Sequence, residues 1–268
     1  MPFFQYNEVN LFYTDQGTGT PILLLHGYAC DSHDWSYQIP FLLSLNYRVI
    51  ALDQRGHGHS SVPQSLDSYS LSAFASDAVA LLNHLESGPA IVMGHSMGSV
   101  ITSVLAMEYP DAVKAIVLVH PIYSRVPDAL PIMAKAMQEQ VHRAPEMADE
   151  FFAKAMYTPQ TPEWLKTWQS RRTLGVDSFT LVGCMKGLVN VFGLVMGQSE
   201  EAKAFMRKRK CPRLAVCTSE AALVWEREIG IEEEQDEVHK LTEGTFSHMV
   251  ESEKFNTILG GWLQVHEM

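Results

Sequence analysis

One stretch of the chain, residues 91–101, combines the end of a buried strand with the start of a helix around a single serine. It reads Ile-Val-Met-Gly-His-Ser-Met-Gly-Ser-Val-Ile. An apolar run ends at Gly94, and apolar residues at helical spacing begin at Met97. So abrupt a turn from strand to helix forces the corner residue, Ser96, into a strained backbone conformation. Only very small residues fit two positions before and after it. The pattern therefore predicts a sharp strand–turn–helix corner with Ser96 at its tip.

The predicted corner has a direct chemical consequence for its serine. Strain at the corner lifts the Ser96 hydroxyl clear of the sheet and aims it into a cleft. The start of the following helix places backbone N–H groups beside the same cleft, where they can stabilise a developing negative charge. A serine so placed between two glycines is typical of a nucleophile elbow.

Strands and helices alternate on either side of this corner. Short apolar runs at 21–25, 47–52 and 115–119 predict strands that are buried on both faces of a sheet. Helical periodicity covers 34–45 and 70–85. Because strands and helices of these lengths alternate, the sequence predicts parallel strand pairing with right-handed crossovers.

The alternation is interrupted by residues 121–209, which carry helical patterns and no convincing strand. Strands resume at 213–218 and 238–241. The simplest interpretation is a helical cap inserted between two strands of the sheet, over the cleft where those strands end. We therefore predict a core domain formed by 1–120 and 210–268, with 121–209 as its cap.

Charge and composition exclude several classes of binding partner for this chain. A net charge of −11 argues against binding to nucleic acid or to an anionic membrane surface. No apolar stretch approaches the roughly 18 residues of a membrane span, and the first residues lack the pattern of a signal peptide. The four cysteines are scattered without metal-ligand spacing, which is typical of free thiols in a reducing compartment. We expect a cytoplasmic monomer or homodimer that acts on a small molecule.

Several motifs together resemble those of capped enzymes with the α/β-hydrolase fold. The matching residues are His26 and Gly27 after a strand, the loop Asp53–Ser60, the segment Gly94–Gly98 and His248 before the last helix. The resemblance covers nearly the whole chain apart from the sequence of the cap. It implies an α/β fold with a mostly parallel, doubly wound, eight-stranded sheet and an inserted helical cap.

The resemblance also implies roles for individual residues. Ser96 would be the nucleophile and His248 the general base, because a serine hydroxyl is a poor nucleophile until a base removes its proton. The backbone N–H groups of Tyr28 and Met97 would form the oxyanion hole. This chemistry requires no metal and no other cofactor.

The acid that would orient the histidine is where the sequence departs from the family's pattern. The family's aspartate falls at or near Ala221, and the other position used in the family holds His120. We choose Glu220, one position earlier, because the additional methylene of a glutamate can make up the difference. The remaining candidates are Glu226, Glu228 and Asp236. If no acid works, slow hydrolysis or a task other than hydrolysis is expected.

The composition of the cap favours a bulky and apolar substrate. Methionine and aromatic residues are frequent between Met133 and Met196, although the same residues would also serve to pack the cap onto the core. The predicted substrate contacts are Tyr28, Trp35, Tyr123 and Trp164.

We therefore predict a serine hydrolase that cleaves an ester or lactone through an acyl-enzyme on Ser96. Several alternatives remain open within the same fold. They are C–C bond hydrolysis, acyl transfer, a cofactor-free lyase or oxygenase, and a small-ligand receptor with weak hydrolysis.

Overall fold

The sheet of this protein is built from short strands with apolar sequences. The computed structural model describes residues 3–123, 129–191, 197, 199–229, 235–242 and 244–268. Eight strands lie within these ranges. They are β1 (Phe3–Tyr6), β2 (Val9–Gln16), β3 (Pro21–Leu25), β4 (Arg48–Leu52), β5 (Ala90–His95), β6 (Val113–Val119), β7 (Arg213–Cys217) and β8 (Asp236–Lys240).

The strands form one mostly parallel sheet in the order β1-β2-β4-β3-β5-β6-β7-β8. The pairs β1–β2 and β2–β4 are antiparallel, and every other neighbouring pair is parallel. The elbow strand β5 lies between β3 and β6, near the middle of the sheet. The predicted fold class is confirmed, and the carboxyl ends of the parallel strands meet at one edge, where open α/β sheets place their ligands.

Helices of the core cover both faces of this sheet, and further helices lie in the segment between β6 and β7. Together they are α1 (Gln38–Ser44), α2 (Leu71–His84), α3 (Met97–Glu108), α4 (Ala129–Glu139), α5 (Ala144–Phe151), α6 (Glu163–Thr173), α7 (Ser178–Asn190), α8 (Glu200–Met206), α9 (Glu220–Glu228), α10 (Ser247–Val250) and α11 (Ser252–Val265). Alternate side chains of β3 belong to two buried clusters: Leu23 and Leu25 pack with α2 and α3, whereas Ile22 and Leu24 pack with α1 and α11. None of the helices in the described part of the chain has both the length and the apolar character needed to cross a membrane.

Helices α4 to α8 occupy the segment between β6 and β7 that the sequence predicts to be a cap. Most of their buried apolar residues belong to the same cluster as those of α2 and α3. Arg172 of α6 also binds the loop after β3, with its guanidinium 2.8 Å from Asp31 and 2.7 Å from Asp34. Because packing is continuous between the two parts, the division into a core domain and a cap domain stays a proposal.

Two elements that bear on the site were not predicted from the sequence. Helix α9 begins at Glu220, immediately after Ser219, whose hydroxyl accepts a hydrogen bond from the Ala222 N–H and so caps the helix. Helix α10 begins at Ser247, only three residues after Gly244, which has a positive φ. Both elements are short, and capping and tertiary packing rather than periodicity set where they start.

Candidate active site

The serine corner has the geometry that its two glycines predict. Ser96 lies between β5 and α3 with φ +51° and ψ −113°, a conformation that L residues rarely adopt. A Cβ atom on Gly94 would lie 2.1 Å from the carbonyl oxygen of Gly98. A Cβ atom on Gly98 would lie 2.2 Å from the carbonyl oxygen of Leu25. Backbone therefore packs directly on backbone at both positions.

Replacing Gly98 with alanine should destabilise the protein by about 1–3 kcal/mol, because the new methyl group meets a rigid backbone carbonyl. Urea unfolding followed by circular dichroism measures the effect. Gly261→Ala in α11 is the matched control, because its methyl group would meet no atom within 4 Å. Alanine should stabilise that helix by up to about 1 kcal/mol. Equal stability of Gly98→Ala and wild type would contradict the close packing of the corner.

Ser96 opens into a cavity of about 370 Å³ between the carboxyl edge of the sheet and the cap helices. The core contributes Gly27, Tyr28 and His120 to its wall, and the residues between β8 and α10 contribute Thr245 and Phe246. The segment between β6 and β7 contributes mostly apolar side chains. Those of its helices are Leu130, Phe151, Phe152, Met156, Met185 and Leu188. Among the described residues that line the cavity, none carries a carboxylate. Two of the methionine and aromatic residues of the predicted cap, Phe192 and Met196, lie outside the described residues.

The two predicted oxyanion donors belong to the loop after β3 and to the start of α3. Tyr28 lines the cavity together with Gly27. Met97 is the first residue of α3, a position whose N–H has no acceptor within its own helix. Their role as donors stays a prediction, and this placement is compatible with it.

His248 lies behind the cavity rather than on its wall. Its side chain is fully buried, and its ring packs 5.0 Å from Trp35 and 4.5 Å from His95, measured between ring centres. Burial lowers the pKa of His248 well below its ordinary value, His95 and His120 add to this effect, and the backbone of Asp34 opposes it. After β8 the chain reaches the cavity at Thr245, so His248, three residues later in α10, turns away. The geometry does not support the prediction that His248 is the general base.

Glu220 is not brought to a histidine. It is the first residue of α9, with a side chain 68% exposed that accepts a 2.7 Å hydrogen bond from Lys240. The other acid candidates form ion pairs elsewhere. Glu226 pairs with Arg213, Asp236 with Arg209 and Arg213, and Glu228 with Lys203. The geometry therefore does not support Glu220 as the orienting acid, because the capped helix holds it in solvent.

Of the four predicted substrate contacts, Tyr28 lines the cavity. Its hydroxyl donates to the Leu181 carbonyl of α7 at 3.3 Å, so this side chain also ties the cap to the core. The other three lie elsewhere. Trp35 is fully buried against His248, Tyr123 is buried with its hydroxyl on the Ser99 carbonyl, and Trp164 is 47% exposed beside Trp168. Core packing and solvent exposure, rather than the cavity, account for these three aromatic residues.

Several polar residues on the cavity wall were not predicted as site residues, and among them are His120 and Thr245. His120 follows β6 with φ +50°, and its Nδ1 bonds the Thr218 hydroxyl at the end of β7. Its Nε2 lies 3.4 Å from the Thr245 hydroxyl. Burial, reinforced by His95, lowers the pKa of His120 to about 3, so the ring is neutral at pH 7. The sequence offered one indication of this placement, because His120 directly follows β6, the strand that comes after the elbow strand in the chain.

Cys30, Asp34 and His95 bring possible metal-ligand atoms within 4.8 Å of one another, and all three are buried. The Asp34 carboxylate, however, already accepts a 2.7 Å hydrogen bond from Arg172. Burial and the neighbouring Asp34 raise the pKa of the Cys30 thiol well above its usual range, so it is not the thiolate that a metal prefers. We therefore assign no metal to this cluster.

Comparison with known proteins identifies the family of this chain. A family model described as alpha/beta hydrolase fold matches residues 20–164, which include the elbow and the strands around it. The chain belongs to this family. Curated relatives of this α/β-hydrolase include bifunctional epoxide hydrolase 2 of Sus scrofa, 37% identical over 108 residues, which are 40% of this chain and 20% of that protein. Another is the (E)-2-((N-methylformamido)methylene)succinate hydrolase of Acinetobacter baylyi, 35% identical over 119 residues, or 44% of each chain. The chain spans less than half of the length of both relatives.

Solved structures resemble this α/β-hydrolase over nearly its whole length. The enol-lactonase of Burkholderia xenovorans superposes with a TM-score of 0.80 at 20% identity, covering 98% of this chain and 100% of that one. The esterase of Exiguobacterium antarcticum has a TM-score of 0.79 at 21% identity, with 98% of both chains covered. At this level of identity the likeness establishes the fold.

Proposed function

We propose that this α/β-hydrolase cleaves an ester or lactone bond of a largely apolar small molecule through an acyl-enzyme on Ser96. The observation that carries the proposal is the strained Ser96 at the start of α3, opening into an apolar cavity of about 370 Å³. A cavity of this size suits a small organic ligand. The enol-lactonase and the esterase that share the fold support the choice of bond.

The proposed reaction uses the elbow in the ordinary order of acyl transfer. Ser96 Oγ attacks the carbonyl carbon, and the N–H groups of Tyr28 and Met97 donate hydrogen bonds to the oxyanion. The alcohol leaves, and water then attacks the acyl-enzyme and releases the acid. A rigid corner favours this reaction because the hydroxyl is held in place before the substrate arrives.

The lining of the cavity restricts the substrate class. An ionised group buried among its aliphatic and aromatic side chains would have no described charged partner on the wall, and burying an unpaired charge is costly. We therefore propose a neutral substrate whose acyl or alcohol part is apolar.

Labelling with a fluorophosphonate, followed by mass spectrometry of the digested protein, tests the proposal. We expect one adduct, on Ser96, because an elbow serine reacts as an activated nucleophile. Protein that is unfolded before exposure to the reagent is the control and should remain unlabelled at this serine. A folded protein that gives no adduct, or adducts on other residues only, would overturn the proposal.

A second candidate function is the binding of an apolar small molecule with little turnover. It is favoured by the position of His248 behind the cavity and by the lack of a carboxylate among the described wall residues. Saturable binding of an apolar ester to wild-type protein, without hydrolysis and without labelling of Ser96, would select this candidate.

A further inference from the structure

We propose that His120 is the general base for Ser96, taking the place that the sequence suggests for His248. This inference rests on the proposed hydrolase function and deepens it. The sheet register, the hydrogen bond that orients the imidazole and the positions of the other histidines all support this role.

The sheet register places His120 beside the nucleophile. His95 of β5 pairs with Val119 of the parallel strand β6, and the Ser96 N–H donates a 2.9 Å hydrogen bond to the Val119 carbonyl. Ser96 and His120 are therefore the next residues along two neighbouring strands, whose backbones lie about 4.8 Å apart. Both residues line the same cavity. The two side chains thus start from adjacent positions and face one space.

The Thr218 hydroxyl can fix the His120 ring in the form that a base requires. When Nδ1–H donates to Thr218 Oγ1, the lone pair of the neutral ring lies on Nε2. Nε2 is only weakly engaged, 3.4 Å from Thr245 Oγ1 on the cavity wall. The backbone of His120 is also held, since its N–H donates to the Val216 carbonyl at 2.9 Å. A threonine hydroxyl thus occupies the position of an orienting acid.

Two described histidines line the cavity, His95 and His120, and they differ in where their available ring nitrogen lies. The Nε2 of His95 bonds the Thr245 carbonyl at 2.8 Å, and its Nδ1 makes no hydrogen bond but is buried against Gly27, where a Cβ atom would lie 2.9 Å from it. His26 bonds the Gly27 carbonyl through Nδ1 and the Gln54 N–H through Nε2. His248 is fully buried beside Trp35 and is absent from the wall.

The proposed step balances within the site. His120 Nε2 accepts the proton of Ser96 Oγ as that oxygen bonds the carbonyl carbon, and the carbonyl π electrons move to the oxyanion. The oxyanion collapses, the C–O bond to the leaving alcohol breaks, and the alcohol takes the proton from Nε2. In the second half Nε2 accepts a proton from water as water attacks the acyl carbon and the carbonyl π electrons again move to the oxyanion. This oxyanion collapses, the bond between the acyl carbon and Ser96 Oγ breaks, Oγ takes the proton from Nε2, and the carboxylic acid is released.

The basicity of His120 determines the rate of hydrolysis that we expect. A general base works best when its pKa lies near the operating pH, whereas burial lowers the pKa of His120 to about 3. The ring is unprotonated at pH 7 and can accept a proton, but its buried surroundings disfavour the protonated form. We therefore expect a slow hydrolase that labels with fluorophosphonate more slowly than a serine with a carboxylate-supported histidine.

The test compares histidine variants by the rate of fluorophosphonate labelling at Ser96 and by kcat and KM for p-nitrophenyl butyrate. His120→Ala should lower kcat and the labelling rate by roughly 10²–10⁴-fold, the usual contribution of general acid–base catalysis. Free imidazole should restore part of the activity, which would not happen if His120 were only structural. Thr218→Val should lower kcat and leave KM nearly unchanged, because the Thr218 hydroxyl orients the proposed base. His142→Gln, at an exposed position of the cap, is the matched control and should behave as wild type.

The outcomes separate this inference from the function on which it rests. Labelling and hydrolysis at wild-type rates in folded His120→Ala would overturn the role of His120 while leaving the serine hydrolase intact. Loss of activity in folded His248→Gln with full activity in His120→Ala would return the role to His248. A wild-type protein that neither labels nor hydrolyses would remove both proposals.

Discussion

Ser96→Ala should abolish hydrolysis of p-nitrophenyl butyrate, with kcat lowered by at least about 10³-fold. The hydroxyl is the only group removed, and its oxygen is the proposed attacking atom. Folding should be retained, because the Ser96 side chain makes no capping hydrogen bond to α3. Affinity for an apolar ester should change little, since the cavity wall stays in place. Stopped-flow turnover and equilibrium titration of the same ester measure the two effects separately.

A matched serine variant controls for this loss. Ser65→Ala removes an exposed hydroxyl that makes no capping hydrogen bond to the short helix after it, and it should keep full activity. Turnover that survives in folded Ser96→Ala would show that the serine is not the nucleophile. Such a result would favour the lyase-like chemistry that the sequence left open, in which a base acts alone.

Arg213→Met should lower the free energy of unfolding by roughly 3–5 kcal/mol, the usual result of removing one partner of a buried ion pair. The Arg213 side chain is fully buried, and its guanidinium bonds the carboxylate and the carbonyl of Glu226. It also lies 3.5 Å from Asp236, which Arg209 binds as well. Methionine fills much of the volume but leaves the Glu226 carboxylate buried without its cation. Urea unfolding at pH 7 measures the loss.

The loss in free energy of unfolding caused by Arg213→Met should become smaller as the pH falls. Burial raises the pKa of Glu226 above its ordinary value even with Arg213 opposing this effect, and without Arg213 the rise is larger. Between the unfolded and the folded pKa the native state holds more protons than the unfolded state, so stability increases as pH decreases. Unfolding curves of the variant from pH 8 down to pH 5 should show this trend.

Arg48→Met provides the comparison for an exposed pair. Arg48 binds Asp15 through two hydrogen bonds of 2.9 and 2.7 Å, with both side chains partly in solvent. Its loss should cost no more than about 1 kcal/mol. If Arg213→Met and Arg48→Met destabilise the protein equally, burial is not what makes the Arg213 pair matter.

The serine corner could be predicted from the sequence because every part of it is local. Gly94, Ser96 and Gly98 lie within five residues, and their backbone geometry follows from the strand and helix that they join. The same holds for β3 and β6, whose apolar runs are long enough to be recognised as buried strands. Local patterns of this kind also predicted that helices follow β6, as α4 to α8 do.

The partners of the serine could not be predicted in the same way. Glu220 and Ala221 differ by one position in the sequence, but Ser219 caps a helix there and turns Glu220 into solvent. His248 and Thr245 differ by three positions, yet only Thr245 reaches the cavity. A shift of one residue changes the face on which a side chain lies, and periodicity does not fix such shifts in short segments.

The sequence by itself determined the α/β fold, the strand–turn–helix corner at β5 and the identity of the strained serine. Each depends on residues that are close together in the chain. Only the tertiary structure decided which histidines line the cavity and which carboxylates are held in ion pairs elsewhere. The reason is physical: His120, Thr218 and Thr245 come from three separate segments, and the register of neighbouring strands brings them together at one edge of the sheet.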